Sequence, residues 1–169
     1  PDVKQLIAQP DGEMNDNVWT TIKELAVTLR GKGVKIDGIE WIASLDLQKG
    51  FGEEQLRKLS LLIDWCYQNN FEFHIAGLEV KSSNVNRWDT EDLDGLRKKE
   101  AEVSALITPI AGLLIEKAGK GAATLSYGVF DGRYEKGTGT YAVLFDHEGN
   151  NRQMYRDLQN TLSPDLSNN

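Results

Sequence analysis

The feature that most constrains this chain is an alternation. Short apolar runs of strand character take turns with longer stretches whose apolar residues recur every three or four positions. The first run, Lys4–Ala8, is β-compatible, and Pro10, Asp11 and Gly12 end it as a loop. Asn17 is placed to cap a helix over Val18–Leu29, with Val18, Ile22, Leu25, Ala26 and Leu29 on one stripe and Gly31 and Gly33 stopping it. A second run, Val34–Leu45, leads through Gly50 and Gly52 to a helix over Glu53–Gln68, striped by Leu56, Leu59, Leu62, Ile63, Cys66 and Tyr67. Phe71–Val80 is the third run. A long helix from about Glu91 to Ala118 follows, and Pro109 is expected to kink or break it, because proline removes a donor and clashes with the preceding turn. The fourth run, Ala122–Phe130, opens into a Gly-rich stretch, Gly132–Thr140. Then come an extended piece, Ala142–Phe145, a turn at Asp146–Asn150 and a last helix, Arg152–Leu162.

The pattern is four βα units with no boundary between them, so residues 1–162 read as one domain and 163–169 as a polar tail expected to be disordered. Continuous apolar runs are what strands buried on both faces of a parallel sheet require. Four units make a small open sheet or half of a closed barrel. A whole (β/α)8 barrel takes about 250 residues, and this chain has 169.

Composition removes several function classes. A net charge of −7 leaves no basic face for nucleic acid. No apolar run approaches the roughly 20 residues that span a bilayer. Cys66 is the single cysteine, which excludes an internal disulfide and a multi-cysteine metal site; its place on the apolar stripe makes it a buried helix residue. His74 and His147 lack any metal-ligand spacing, and Gly137-Thr138-Gly139 lacks the Lys-Ser/Thr of a phosphate loop, so no metal and no cofactor is expected. Residues 1–12 carry no signal-peptide pattern.

Four segments carry a family resemblance. Lys35-Ile36-Asp37-Gly38-Ile39-Glu40-Trp41-Ile42-Ala43-Ser44 resembles the sixth strand of family 10 glycoside hydrolases, the xylanases, which reads pidGiGxQxH. Phe73-His74-Ile75-Ala76-Gly77-Leu78-Glu79-Val80 is similar to their seventh strand, vhITELDV, and Ser126-Tyr127-Gly128-Val129-Phe130-Asp131 to the eighth, fWGvxD. Leu144-Phe145-Asp146 with Tyr155 resembles the terminal LLFDxxxxpKpAY segment, and Lys4–Asp11 stands as a degenerate fifth strand. Order and spacing agree over roughly residues 3 to 162. The resemblance implies an α/β fold, half of a (β/α)8 TIM barrel whose four units correspond to strands five to eight. It also implies a family that cleaves β-1,4-xylan with retention, and an extracellular or cell-surface location.

The departures from the family pattern bear on function. Gly77 stands where the resemblance places the nucleophilic Glu. Ile42 and Ser44 stand where it places the Gln and His that contact sugar and orient that nucleophile, and Tyr127 where it places a Trp. Retention needs two carboxyl groups about 5–5.5 Å apart. One of them is replaced here, and the family's acid/base strand, the fourth, has no counterpart in the chain. No catalytic residue is therefore assigned.

Other carboxylates do not restore the pair. Glu79 matches the Asp of ELDV and, two residues past Gly77, shares its face by simple strand alternation. It reads as a supporting carboxylate, about 7 Å too far along the strand to attack. Glu40 replaces a family glycine and reads as a surface or packing residue, and His74 as a structural histidine. The candidates for sugar contact are Tyr127, Asp131, Arg133, Tyr134, Trp88 and Glu79. Aromatic faces stack on sugar CH surfaces and charged groups bond hydroxyls, at the end of the barrel where ligands bind.

The expected function is a catalytically degenerate xylanase-like domain that binds β-1,4-linked plant polysaccharide. The alternatives are the C-terminal half of a larger divergent endo-1,4-β-xylanase, or a structural module. The expected partners are xylan or another β-linked glycan, and an N-terminal half-barrel or a second copy; nucleic acid and membrane are not expected.

Overall fold

The computed structural model describes residues 3–11, 13–82, 93–128, 142–146 and 148–163. Strands and helices alternate as β1 (Leu6–Asp11), α1 (Asp16–Gly31), β2 (Gly38–Asp46), α2 (Glu53–Gln68), β3 (Glu72–Lys81), α3 (Leu93–Glu116), β4 (Ala122–Tyr127) and α4 (Gln153–Leu162). The strands form one sheet in the order β1-β2-β3-β4, every pair parallel. Parallel neighbours need a long crossover between them, which α1, α2 and α3 supply.

The sheet has one helix-covered face and one open face. On β2 the covered face carries Ile39, Trp41, Ala43 and Leu45, all fully buried, and on β3 it carries Phe73, Ile75, Leu78 and Val80. These pack in one core with Trp19, Ile22 and Ala26 of α1, Leu59, Ile63 and Cys66 of α2, and Val103, Ile107 and Ile110 of α3. Trp41 stacks on Phe51 with ring centroids 5.6 Å apart. Burial pushes the Cys66 thiol up to about 12, so it stays protonated and behaves as a small apolar group.

Three polar devices hold the helices in place. Arg30, in the last turn of α1, lies over the Phe71 ring at 3.4 Å. It donates to the carbonyls of Ile36 (2.7 Å), Asn69 (2.8 Å) and Asn70 (3.1 Å), tying the end of α1 to the end of α2. Lys117 reaches Asp64 at 2.6 Å and joins α3 to α2. Arg152 and Glu100 form a buried pair at 3.0 Å, and the second oxygen of Glu100 accepts from the Gln153 amide at the start of α4 (3.2 Å). Truncating one partner of such a pair leaves a buried charge uncompensated.

The observed boundaries correct the sequence reading at four places. The N-cap of α1 is Asn15, not Asn17. Asn15 is extended (φ −68°, ψ 119°) and its side chain accepts from the amides of Asn17 and Val18, while Asn17 lies inside the helix. β1 continues through Pro10 to Asp11 instead of ending before them. Its ladder to β2 runs unshifted through Pro10↔Ile42 and Asp11↔Ala43, so the N–H that proline lacks would have pointed away from β2. β2 begins at Gly38, after Val34–Asp37, where its ladders to Leu6 of β1 and Glu72 of β3 both start; a Cβ at Gly38 would sit 2.4 Å from the Glu72 carbonyl oxygen, which favours glycine there. α3 is not broken at Pro109; the buried Ile107, Ile110 and Ala111 on either side hold it against the core. The extended piece 142–145 lies beside the sheet, with the Ala142 amide donating to the Val80 carbonyl at 2.8 Å and Phe145 bridging, antiparallel, to Asn151.

Candidate functional site

Alternation on β2 turns Glu40, Ile42, Ser44 and Asp46 to the open face, where Ile42 is 38% exposed. β3 does not alternate simply. Its covered-face residues run 73, 75, 78, 80, with one three-residue step between Ile75 and Leu78. Both ladders record the extra residue. Against β2, Ile42 and Ser44 pair with Ala76 and Glu79; against β4, Leu125 and Tyr127 pair with Ile75 and Leu78. The strand is bulged at Ala76–Gly77, and Gly77 takes φ +59°, the left-handed region that favours glycine.

The bulge sets the site's geometry. The Gly77 amide donates to Ser126 Oγ at 3.0 Å, and a Cβ added at Gly77 would meet nothing within 4 Å. Gly128 lies so close that its own Cβ would be 3.0 Å from the Gly77 carbonyl oxygen, which explains a glycine at that point of β4's exit. Beyond the bulge Glu79 returns to the open face. Its Oε1 accepts from Ser44 Oγ at 2.7 Å and lies 3.6 Å from Lys81 Nζ. Gln48 donates to the buried Ser82 hydroxyl at 2.9 Å, closing the same end of the β2–β3 pair.

The structure thus brings together Gly77, Ser44 and Glu79 at the C-terminal ends of the strands, with Ile42 one step below. Tyr127 sits differently from a free stacking platform. Its ring packs against the core cluster and its hydroxyl donates to the Ala142 carbonyl at 3.3 Å. Burial raises its phenol above the ordinary tyrosine range, and the charge of Glu79 adds to that. Trp88, Asp131, Arg133, Tyr134 and His147 lie outside the described residues.

Lys81 and Ser126 were not singled out by sequence. Lys81 follows Glu79 by two and so shares its face, a signal available from alternation alone; Ser126 becomes meaningful only once the bulge turns the Gly77 amide toward it.

At the opposite, N-terminal end of the open face a second polar chain crosses the strands. Lys4 pairs with Glu72, Glu72 lies 3.1 Å from His74 Nε2, and His74 Nδ1 lies 2.8 Å from Thr124 Oγ1. The Lys4 hydrogen bond, opposed by partial burial and helped by His74, holds the Glu72 carboxyl below its ordinary value. In the turn before α4, burial of Asp146 is outweighed by bonds from Asn150 and the Glu148 amide, which hold that carboxyl low; Asp146 is a turn former. Phe145 packs on Tyr155 at 4.9 Å beside it. No group of metal-ligating side chains occurs among the described residues, and no described helix is long and apolar enough to cross a membrane.

No protein-family model and no curated protein sequence matches the chain. Solved structures do match. Against the Penicillium canescens endo-1,4-beta-xylanase XylE the TM-score is 0.80 at 18% identity, over 96% of this chain and 47% of that one. Xylanase 10B from Thermotoga maritima gives 0.70 at 20% identity, over 100% and 49%. Xylanase 10B from Thermotoga petrophila RKU-1 in complex with xylobiose gives 0.69 at 22% identity, over 98% and 48%. The chain spans about half the length of these structures, and its fold is that of half a family 10 xylanase barrel.

Proposed function

We propose that this chain is a xylanase-like half-barrel that does not hydrolyse glycosidic bonds and instead binds β-1,4-linked plant polysaccharide at the C-terminal ends of its strands. The observation that carries the first part is Gly77. The position that the resemblance matches to the nucleophile has no side chain and a left-handed backbone. The carboxylate nearest to it in sequence, Glu79, is already engaged by Ser44 and Lys81. A retaining hydrolase needs one carboxylate free to attack and a second to protonate the leaving oxygen, and the described residues of this site offer neither arrangement. The binding part rests on the barrel end at which such folds take their ligands, with Glu79, Trp88, Asp131, Arg133 and Tyr134 as contacts and Tyr127 as their support.

Two measurements test this with the 169-residue chain. Incubated with xylan, it releases no reducing sugar above a blank; release sinks the loss of hydrolysis. Titrated with xylohexaose in a calorimeter, it gives saturable heat; no heat at millimolar sugar sinks the binding.

A second reading is that the chain is the C-terminal half of a larger divergent endoxylanase. The half-length coverage of the solved barrels favours it. Any activity of that whole would still need a nucleophile other than residue 77.

A further inference from the structure

We propose that the groove between α1 and α2, on the outside of the helix layer, is a second binding site for a neutral polysaccharide chain, separate from the strand ends. Thr20, Lys23, Glu24, Val27 and Thr28 form one stripe of α1 at three- and four-residue spacing, and with Trp65 of α2 they line about 420 Å³. The core stripe of α1 is a different one, Trp19, Ile22 and Ala26. Both walls of the groove belong to neighbouring helices of this chain, so its shape does not depend on what lies beyond β1 or β4.

The groove holds a built aromatic platform. Trp19 and Trp41 are buried, whereas Trp65 is only partly so and lines the groove. The buried Phe71 backs its indole, with ring centroids 5.6 Å apart and planes 14° apart, and Arg30 lies over Phe71 in turn. The ring is thus held in place before any ligand arrives, and a rigid aromatic loses little freedom on binding. Lys23 Nζ stands over it at 5.8 Å, an exposed cation–π contact weak enough for a sugar ring to displace. Thr20 and Lys23 also line the adjoining hollow with Arg57, Lys58 and Leu61 of α2, so the two run together. From Asp16 to Thr28 they follow twelve residues of α1, about 18 Å. That is the reach of a chain, not of a single sugar.

The lining selects the occupant. Arg57 is paired with Glu54 at 2.8 Å and Lys58 with Asp16 at 2.7 Å, and Glu24 neighbours Lys23, so the charges balance and favour a neutral ligand over a polyanion. Val27 and Leu61 are exposed, but singly, between hydroxyls and ion pairs. A protein interface has a core depleted of charge, which this groove lacks. An aromatic face ringed by hydroxyls and charged groups suits a sugar: the CH surface stacks and the hydroxyls bond. The choice of a β-1,4-linked sugar as probe rests on the functional reading above. The groove itself lies across the sheet from Glu79 and stands or falls separately.

The test is an NMR titration of the 169-residue chain with xylohexaose. The Trp65 indole N–H and the backbone amides of residues 20–28 are expected to shift saturably at millimolar sugar. Trp65→Ala removes the platform, and Val27→Arg lays a long side chain across the groove from an exposed position, where folding is not at stake. Each is expected to weaken the response of residues 20–28 about tenfold. No shift at residues 20–28 overturns the proposal, and so does a response that Val27→Arg leaves at full strength. The Ser44 and Gly77 amides report the strand-end site in the same spectra. Shifts there alone sink the groove and keep that site; shifts at residues 20–28 alone do the reverse.

Discussion

β2 and β3 lie side by side, share one register for most of their length, and differ by a single residue. β2 alternates without interruption over nine residues, covered face and open face in strict turn. β3 uses ten residues and inserts one extra at Ala76–Gly77. Before the insertion the covered face holds Phe73 and Ile75; after it, Leu78 and Val80. If all ten residues alternated regularly from Phe73, with no bulge, Glu79 would point into the core and Leu78 and Val80 to the open face. The difference teaches that Gly77 has two jobs here. It is the residue that the resemblance matches to the nucleophile, and it is the joint that delivers Glu79 to Ser44.

The largest effect is expected from deleting Ala76 and Gly77 together, because unbroken alternation from Phe73 and Ile75 would then turn Leu78 and Val80 to the open face and Glu79 to the core. Leu78 and Val80 would each forfeit roughly 1.5–3 kcal/mol of burial, and Glu79 would face the core unpaired. That loss is comparable with the whole stability of an ordinary domain, about 5–15 kcal/mol. The deletion is expected to abolish the cooperative thermal unfolding transition or to lower its midpoint severely. An unchanged melt would mean that the spacing between Ile75 and Leu78 is not what sets the phase of β3.

The comparison also marks where sequence was a good guide. The four βα units, the limits of α2 at Glu53 and Gln68, and the parallel sheet were legible, because apolar periodicity reports which face is buried. The bulge was not. The spacing 73, 75, 78, 80 sits in an apolar segment where nearly every residue could be inward, so the three-residue step hides among Ile75, Ala76 and Leu78. Asn15 and Asn17 are equally good capping side chains, and only the backbone angles distinguish them. Pro10 read as a strand terminator because its tolerance depends on which side of β1 is unpaired, a property of the sheet and not of the segment. Of the proposed site, Gly77, Ser44 and Glu79 were named from the resemblance, whereas their hydrogen bonds and the burial of the Tyr127 ring came from packing.

A smaller effect is expected from filling the joint instead of removing it. Gly77→Glu restores a carboxylate at the aligned position, and the space is open, so no clash opposes it. The left-handed φ of +59° does; an L side chain there costs roughly 1–2 kcal/mol. The variant is expected to fold, to lose about that much by urea denaturation and, on the proposed reading, to gain no xylan hydrolysis. Hydrolysis by this variant would show that a carboxylate at residue 77 suffices. A gain in stability would show that the bulge relaxes when side chains enter it.

The smallest effect lies at the other end of β3, where its phase still matches β2. Glu72 faces His74 and Lys4 there, and the Lys4 hydrogen bond is the main reason its carboxyl titrates below the ordinary value. A carboxyl lowered by folding adds stability above its unfolded pKa, and that stability fades as pH falls through the lower folded value. Lys4→Met is expected to move the Glu72 midpoint upward in an NMR titration and to flatten the acid limb of stability between the folded and unfolded midpoints. With both side chains well exposed, at 56% and 40%, screening keeps the change in stability at neutral pH within about 1 kcal/mol. The bulge should not feel it. If Lys4→Met also shifted the Ser44 and Gly77 amide resonances, the two ends of β3 would be coupled, and the division of the strand into a regular half and a displaced half would fail.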